Sequence, residues 1–309
     1  MRRSLPVLAL LAAASLTHAD GLLGVMYRTG GQTDGSKPYL YDVNSLTGAT
    51  SNGRQVNVNF CIGIASAPDG RLFGMTDGLG RINNTAGQGG RGLLFSIDPA
   101  TGFATGIGRA DPTGTFTVNE GDLAFSPTGQ LWGLSTTTGG LGGSLFRIDT
   151  ATGLASSFVT IAQDTANRMD TSAMAFAPNG DLYVLDTAFD GSASKQIPAR
   201  ILKVNSVTGS YTVAYQSSLI MGGAGGMTYD RASGRFLVTD GDFEGTNKLY
   251  SFDPANPGFT TLGSIVTASG TQAYMGGLAG LTSVAPVPEP TTLAALGLGA
   301  IGLLRRRRR

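Results

Sequence analysis

Met174-Ala-Phe-Ala-Pro-Asn-Gly180-Asp-Leu182-Tyr183 fits a strand, a tight turn and the start of a second strand into ten residues. The first run is apolar throughout. Asn179-Gly180 supplies turn chemistry, and Leu182-Tyr183 opens the return strand. The order recurs as Ile64-Ala-Ser-Ala-Pro-Asp-Gly70-Arg-Leu72-Phe73 and as Leu123-Ala-Phe-Ser-Pro-Thr-Gly129-Gln-Leu131-Trp132. A looser copy is Met227-Thr-Tyr-Asp-Arg-Ala-Ser-Gly234-Arg-Phe236-Leu237. One such stretch is a hairpin; several at similar spacing are an array.

A second pattern accompanies the first. Leu40-Tyr-Asp-Val-Asn44-Ser-Leu-Thr-Gly48 recurs as Leu94 to Gly102, Leu145 to Gly153, Ile201 to Gly209 and, with one extra residue, Leu249 to Gly258. The closing glycines are 54, 51, 56 and 49 residues apart. Apolar and polar residues alternate, as in a half-buried strand. Asp or Asn then opens a turn by bonding its own backbone, and Gly supplies the positive φ that ends it. Each unit is therefore four short antiparallel strands, A to D. Strand A is nearly all small or apolar, so it is buried on both faces.

A four-stranded unit of about 50 residues resembles a β-propeller blade. The 271 residues between the two ends of the chain divide into five units of about 54. The Gly-His and Trp-Asp marks of WD40 blades are missing, and the Gly-Gly of kelch blades is out of register. An open β-solenoid is the competing architecture, but its repeats run nearer 20–30 residues. The ends of the array favour closure. Gly21-Leu22-Leu23-Gly24 aligns with Arg71-Leu72-Phe73-Gly74, so the first unit lacks strand A, and Met275 to Leu281 is a strand A without a unit. Pairing them leaves no open edge. The expected fold is all-β: a five-bladed propeller over 20–284, closed by its N- and C-terminal segments, with a further hydrophobic helix in the C-terminal tail.

The chain's own ends read as addresses. Arg2 and Arg3, the apolar run Leu5 to Leu16 and Thr17-His18-Ala19 form a signal peptide over 1–19, cut before Asp20. At the other end, Val287-Pro288-Glu289-Pro290 precedes a charge-free run, Leu293 to Leu304, and five arginines, Arg305, Arg306, Arg307, Arg308 and Arg309. Twelve helical residues rise about 18 Å, short for a bilayer core of about 30 Å, but arginine stems snorkel and lipid thins locally. Basic flanks stay cytoplasmic, so this is a stop-transfer segment. Pro288 and Pro290 hold the motif extended. Motif, apolar run and arginines in this order resemble the PEP-CTERM sorting signal of Gram-negative bacteria. The resemblance covers residues 285–309. It implies recognition of Pro288, Glu289 and Pro290 by an exosortase, a membrane-embedded cysteine transpeptidase-like enzyme, with cleavage near the motif. It also implies export, transient inner-membrane anchoring and delivery to the surface or medium, often in exopolysaccharide-producing bacteria.

Composition narrows the function of the body. Of 22 Lys and Arg, seven lie in those two ends, leaving 15 against 21 acids, a net charge of about −6. No basic block remains for nucleic acid. Cys61 is the only cysteine, so no intramolecular disulfide forms, and it reads as a small buried hydrophobe. The single histidine, His18, lies in the signal peptide, which removes Ser-His-Asp, Cys-His and His-ligated zinc or copper chemistry from the body.

Two carboxylate clusters remain. Asp240-Gly-Asp242-Phe-Glu244-Gly places three hard oxygen ligands in a B–C loop, a candidate Ca²⁺ site without the further ligands of an EF-hand loop. Asp186 and Asp190 hold a similar place one unit earlier. Asn119-Glu120-Gly121-Asp122 precedes a strand A and could face the axis, where a carboxylate pair would serve glycoside chemistry; the same two acids also read as loop caps. Phe73, Trp132 and Tyr183 read as blade core rather than sugar platforms. The leading expectation is a non-catalytic binding or structural propeller with no cofactor, its partner a polysaccharide or an envelope protein. The alternative is a carboxylate-based, Ca²⁺-dependent glycan-active enzyme.

Overall fold

The computed structural model describes residues 21–29, 38–76, 92–112, 118, 121–136, 143–163, 169–187, 198–221, 225–240, 247–270 and 273–281. They form twenty strands in five four-stranded antiparallel sheets. Blade 1 holds β1 (Leu22–Thr29), β2 (Tyr39–Val43) and β3 (Thr50–Gln55). Blade 2 holds β4 (Gly63–Ser66), β5 (Leu72–Met75), β6 (Leu93–Ile97) and β7 (Ala104–Arg109). Blade 3 holds β8 (Leu123–Phe125), β9 (Leu131–Thr136), β10 (Gly143–Ile148) and β11 (Ala155–Thr160). Blade 4 holds β12 (Thr171–Phe176), β13 (Leu182–Asp186), β14 (Arg200–Val204) and β15 (Tyr211–Gln216). Blade 5 holds β16 (Met227–Asp230), β17 (Arg235–Thr239), β18 (Lys248–Phe252) and β19 (Phe259–Ser264). The last strand, β20 (Ala273–Gly280), returns to blade 1, whose order is β20-β1-β2-β3.

That return closes the ring as the repeat pattern predicts. Leu22 pairs with Gly280, Leu23 with Ala279 and Gly24 with Leu278. Neighbouring blades brace the end of the closing strand: Ser66 Oγ donates to the Gly280 carbonyl, and Thr228 Oγ1 accepts from the Gly280 N–H at 3.1 Å.

The core is not one body but five, one in each joint. Between blades 4 and 5, for example, Ala173, Ala175, Tyr183 and Leu185 meet Met227, Phe236, Val238 and Phe252. The Tyr183 and Phe236 rings lie 4.9 Å apart there. Strand A sends alternate residues into the joints on its two sides, which is why it is apolar throughout. Phe73, Trp132 and Tyr183 are buried in these joints, as expected.

The A–B and C–D turns lie on one end of the ring, the turn face. The D–A and B–C connections lie on the other, the loop face. At every C–D turn an Asn or Asp side chain accepts the N–H two residues on: Asn44, Asp98, Asp149, Asn205 and Asp253, at 2.7–2.9 Å. The glycine ending that turn has a second role. Gly153 has φ +79°, and a Cβ there would stand 2.5 Å from the Gly108 carbonyl of the blade before. Each C–D ladder also contains one register shift, which sequence alternation does not reveal. Such bulges strengthen strand twist at the blade's outer edge.

Candidate functional site

Where the innermost strands begin, on the loop-face side, each blade places one residue at the axis. In blade order from blade 2 they are Gly63, Asp122, Ala173, Gly226 and, from β20, Gly277. Four are small because the strands converge. A Cβ on Gly277 would stand 2.9 Å from the Gly63 Cα, and one on Gly226 would stand 2.6 Å from the Leu278 nitrogen. The fifth is an aspartate, wholly buried at 0 % exposure.

Asp122 fills the space that the small residues leave. Its Oδ1 accepts the Leu123 N–H at 2.8 Å. Its Oδ2 accepts the Met174 N–H of blade 4 at 3.2 Å and the Met227 N–H of blade 5 at 3.3 Å. Against blade 2, a Cβ on Gly63 would stand 2.7 Å from the Asp122 Cα. One side chain thus ties its own blade to two others and abuts a fourth. Burial pushes its carboxyl well above the usual carboxylate range, and the N–H bonds from Leu123, Met174 and Met227 offset only part of that. Beside it Cys61 is buried, its Sγ 3.4 Å from the Gly63 carbonyl. Burial pushes that thiol up to about 12, so it is an inert hydrophobe, as its apolar context suggests.

Sequence reasoning placed Asp122 near the axis but paired it with Glu120 as a local cap. Its partners instead lie 52 and 105 residues away. The available signal was the aligned column Gly63, Asp122, Ala173, Gly226 and Gly277, where Asp122 alone is charged.

A second set of polar groups closes the necks of the B–C loops. Asp240 Oδ1 accepts the Lys248 N–H at 2.7 Å, and Thr76 Oγ1 accepts the Leu93 N–H at 3.2 Å. In blade 4 the same position is Asp186. It accepts the Asp170 N–H at 2.8 Å and forms a buried ion pair with Arg200, whose Nε lies 2.8 Å from its Oδ2. Of the candidate calcium ligands, then, Asp240 is wholly buried with one oxygen engaged by the backbone, while Asp242 and Glu244 lie outside the described residues. Asp186 is engaged by Arg200; Asp190 and Glu120 lie outside the described residues. So do the expected signal peptide, the motif Val287 to Pro290, and the whole run from Leu293 to Arg309 with its expected helix. Among the described residues, no three His, Cys, Asp or Glu side chains group as a metal site.

At the turn-face end the axis opens into a cup of about 100 Å³. Ser66, Pro68, Pro127, Pro178, Tyr229 and Arg231 line it. Most of its lining comes from the ends of the five innermost strands, with no carboxylate among the described lining residues.

The PEP-CTERM protein-sorting motif matches residues 286–309. The chain therefore carries a signal for export and membrane transit, read by an exosortase-type enzyme, behind a five-bladed propeller. No curated protein matches the chain. Among solved structures, TolB from Acinetobacter baumannii aligns at TM-score 0.44 and 15 % identity, over 79 % of this chain and 53 % of that one. This chain thus spans about half the length of that protein. An endo-arabinase from Bacteroides thetaiotaomicron aligns at TM-score 0.46 and 13 % identity, over 73 % and 84 % of the two chains. A calcium-binding regucalcin from Agrobacterium tumefaciens aligns at TM-score 0.39 and 16 % identity, over 76 % of each chain. Likenesses at this level assign no activity or ligand to this chain.

Proposed function

We propose that the exosortase delivers this propeller to the cell surface or the medium, where it binds or scaffolds without catalysing a reaction. Exopolysaccharide is the partner favoured by the sorting signal, with an envelope protein as the other candidate. One observation carries the non-catalytic reading. The axial carboxylate, Asp122, is fully buried and accepts three backbone N–H groups, so it offers no acid or base to a solvent-borne substrate. Near-identical blades also suit a repeated binding surface better than one asymmetric catalytic site. Calcium at Asp240, Asp242 and Glu244 stands as a subsidiary proposal, with a structural role.

The test uses residues 20–290 and exopolysaccharide from the native host. The proposal expects co-sedimentation with the polymer and no new reducing ends. Release of reducing ends by the wild type, lost in Glu120→Gln, would establish the glycan-active enzyme instead.

A further inference from the structure

Both ends of the propeller leave from the turn face. Strand β20 runs to that face and stops at Gly280, while β1 starts there at Leu22. The Leu281 N–H donates to the Gly21 carbonyl at 2.6 Å, so the two exits are side by side. From Leu281 to Pro288 is seven residues, which span at most about 23–25 Å. Reaching around a blade takes more. Crossing from strand A to strand D covers three spacings of about 4.8 Å. Climbing a strand of five to six residues adds about 17–20 Å. The path exceeds roughly 30 Å, so with the motif at the membrane edge the turn face is the nearer one to the lipid.

The turn face also carries apolar points. Leu46 and Val207 are 76 % and 75 % exposed at the tips of C–D turns, and Phe103 and Leu154 are exposed just past two others. They occupy four consecutive blades and make up four of the seven exposed large hydrophobic residues among those described. Several charges between them are paired, as in Asp69–Arg71, Asp181–Lys203 and Asp253–Arg235, and the acids Asp98 and Asp149 cap their own turns. A rim of apolar tips among paired and turn-capping charges suits a zwitterionic lipid interface rather than an anionic polymer.

We propose that the turn face is the membrane-docking face of the tail-anchored protein. Leu46, Phe103, Leu154 and Val207 seat in the headgroup–acyl boundary, and the loop face is presented outward. Each tip contributes little alone, and the tether supplies the effective concentration that makes their sum count. The inference rests on the sorting tail and not on what the propeller binds.

The test takes residues 20–309 reconstituted in phosphatidylcholine liposomes. Single Val207→Cys, Leu46→Cys and Ile220→Cys variants carry an environment-sensitive dye, and the lipid carries a headgroup nitroxide quencher. Cys61 is buried and stays unlabelled. Ile220, exposed on the loop face, is the control. Blue-shifted emission and at least twofold stronger quenching at positions 207 and 46 than at 220 is the expected result. Equal quenching at all three, stronger quenching at 220, or none anywhere would overturn the proposal.

Discussion

The two faces of the ring solve the same problem by different means. On the turn face the polar caps of the C–D turns are satisfied within their own turns, as Asn205 accepts the N–H of Val207. On the loop face the groups reach further: Asp122 to blades 4 and 5, Asp186 to Arg200 across the neck of a B–C loop. Local turns repeat because each copy needs only its own five residues. Asp122 and the Asp186–Arg200 pair do not repeat, because each fills a space made by residues unlike itself. Repetition therefore specifies the blades, and departures from it specify how they meet at the axis.

The contrast predicts a graded set of losses. Arg200→Ala is expected to cost most, about 3–5 kcal/mol, since it leaves the Asp186 carboxylate buried without its cation. Denaturant midpoint at unchanged slope is the readout; a loss under about 1 kcal/mol would put that pair on a par with exposed ones. Asp122→Ala should follow at about 2–4 kcal/mol, by stranding the Met174 and Met227 N–H groups.

Asp122→Asn sharpens the point through pH. The folded-state value of Asp122 is raised above the ordinary 3.8. Its stabilisation is thus complete below that value and is lost as pH rises through the folded-state value. Wild type should lose stability relative to Asp122→Asn as pH rises above about 4. Parallel stability curves for the two proteins would show that the carboxyl is not perturbed.

On the turn face, Asn205→Ala removes two N–H contacts open to water and should cost about 1 kcal/mol, measured in the same way. Calcium should matter least. For a site with a dissociation constant near 1 mM, 1 mM Ca²⁺ adds about 0.4 kcal/mol, a melting shift of about 1 °C after EDTA dialysis.

The same contrast explains what could be read in advance. Blade number, turn positions and ring closure were legible because Asp69-Gly70, Asn179-Gly180 and the closing glycines act within a few residues. The second role of Gly153 was not, since its Cβ would strike Gly108, in another blade. Nor were the partners of Asp122, because an N–H at Met227 is apolar sequence to any local reading. Asp186 was placed as a loop acid; its ion pair with Arg200 spans a B–C loop whose length sets no period. The tail was legible for the opposite reason, as its parts act in linear order on a membrane.

The most direct test of an exported, sorted propeller is the intact mass of the protein from its native host, fraction by fraction. The account predicts a species running from Asp20 to near Pro290 in the outer envelope or the medium. A full-length C-terminus with all five arginines, held in the inner membrane, would contradict it.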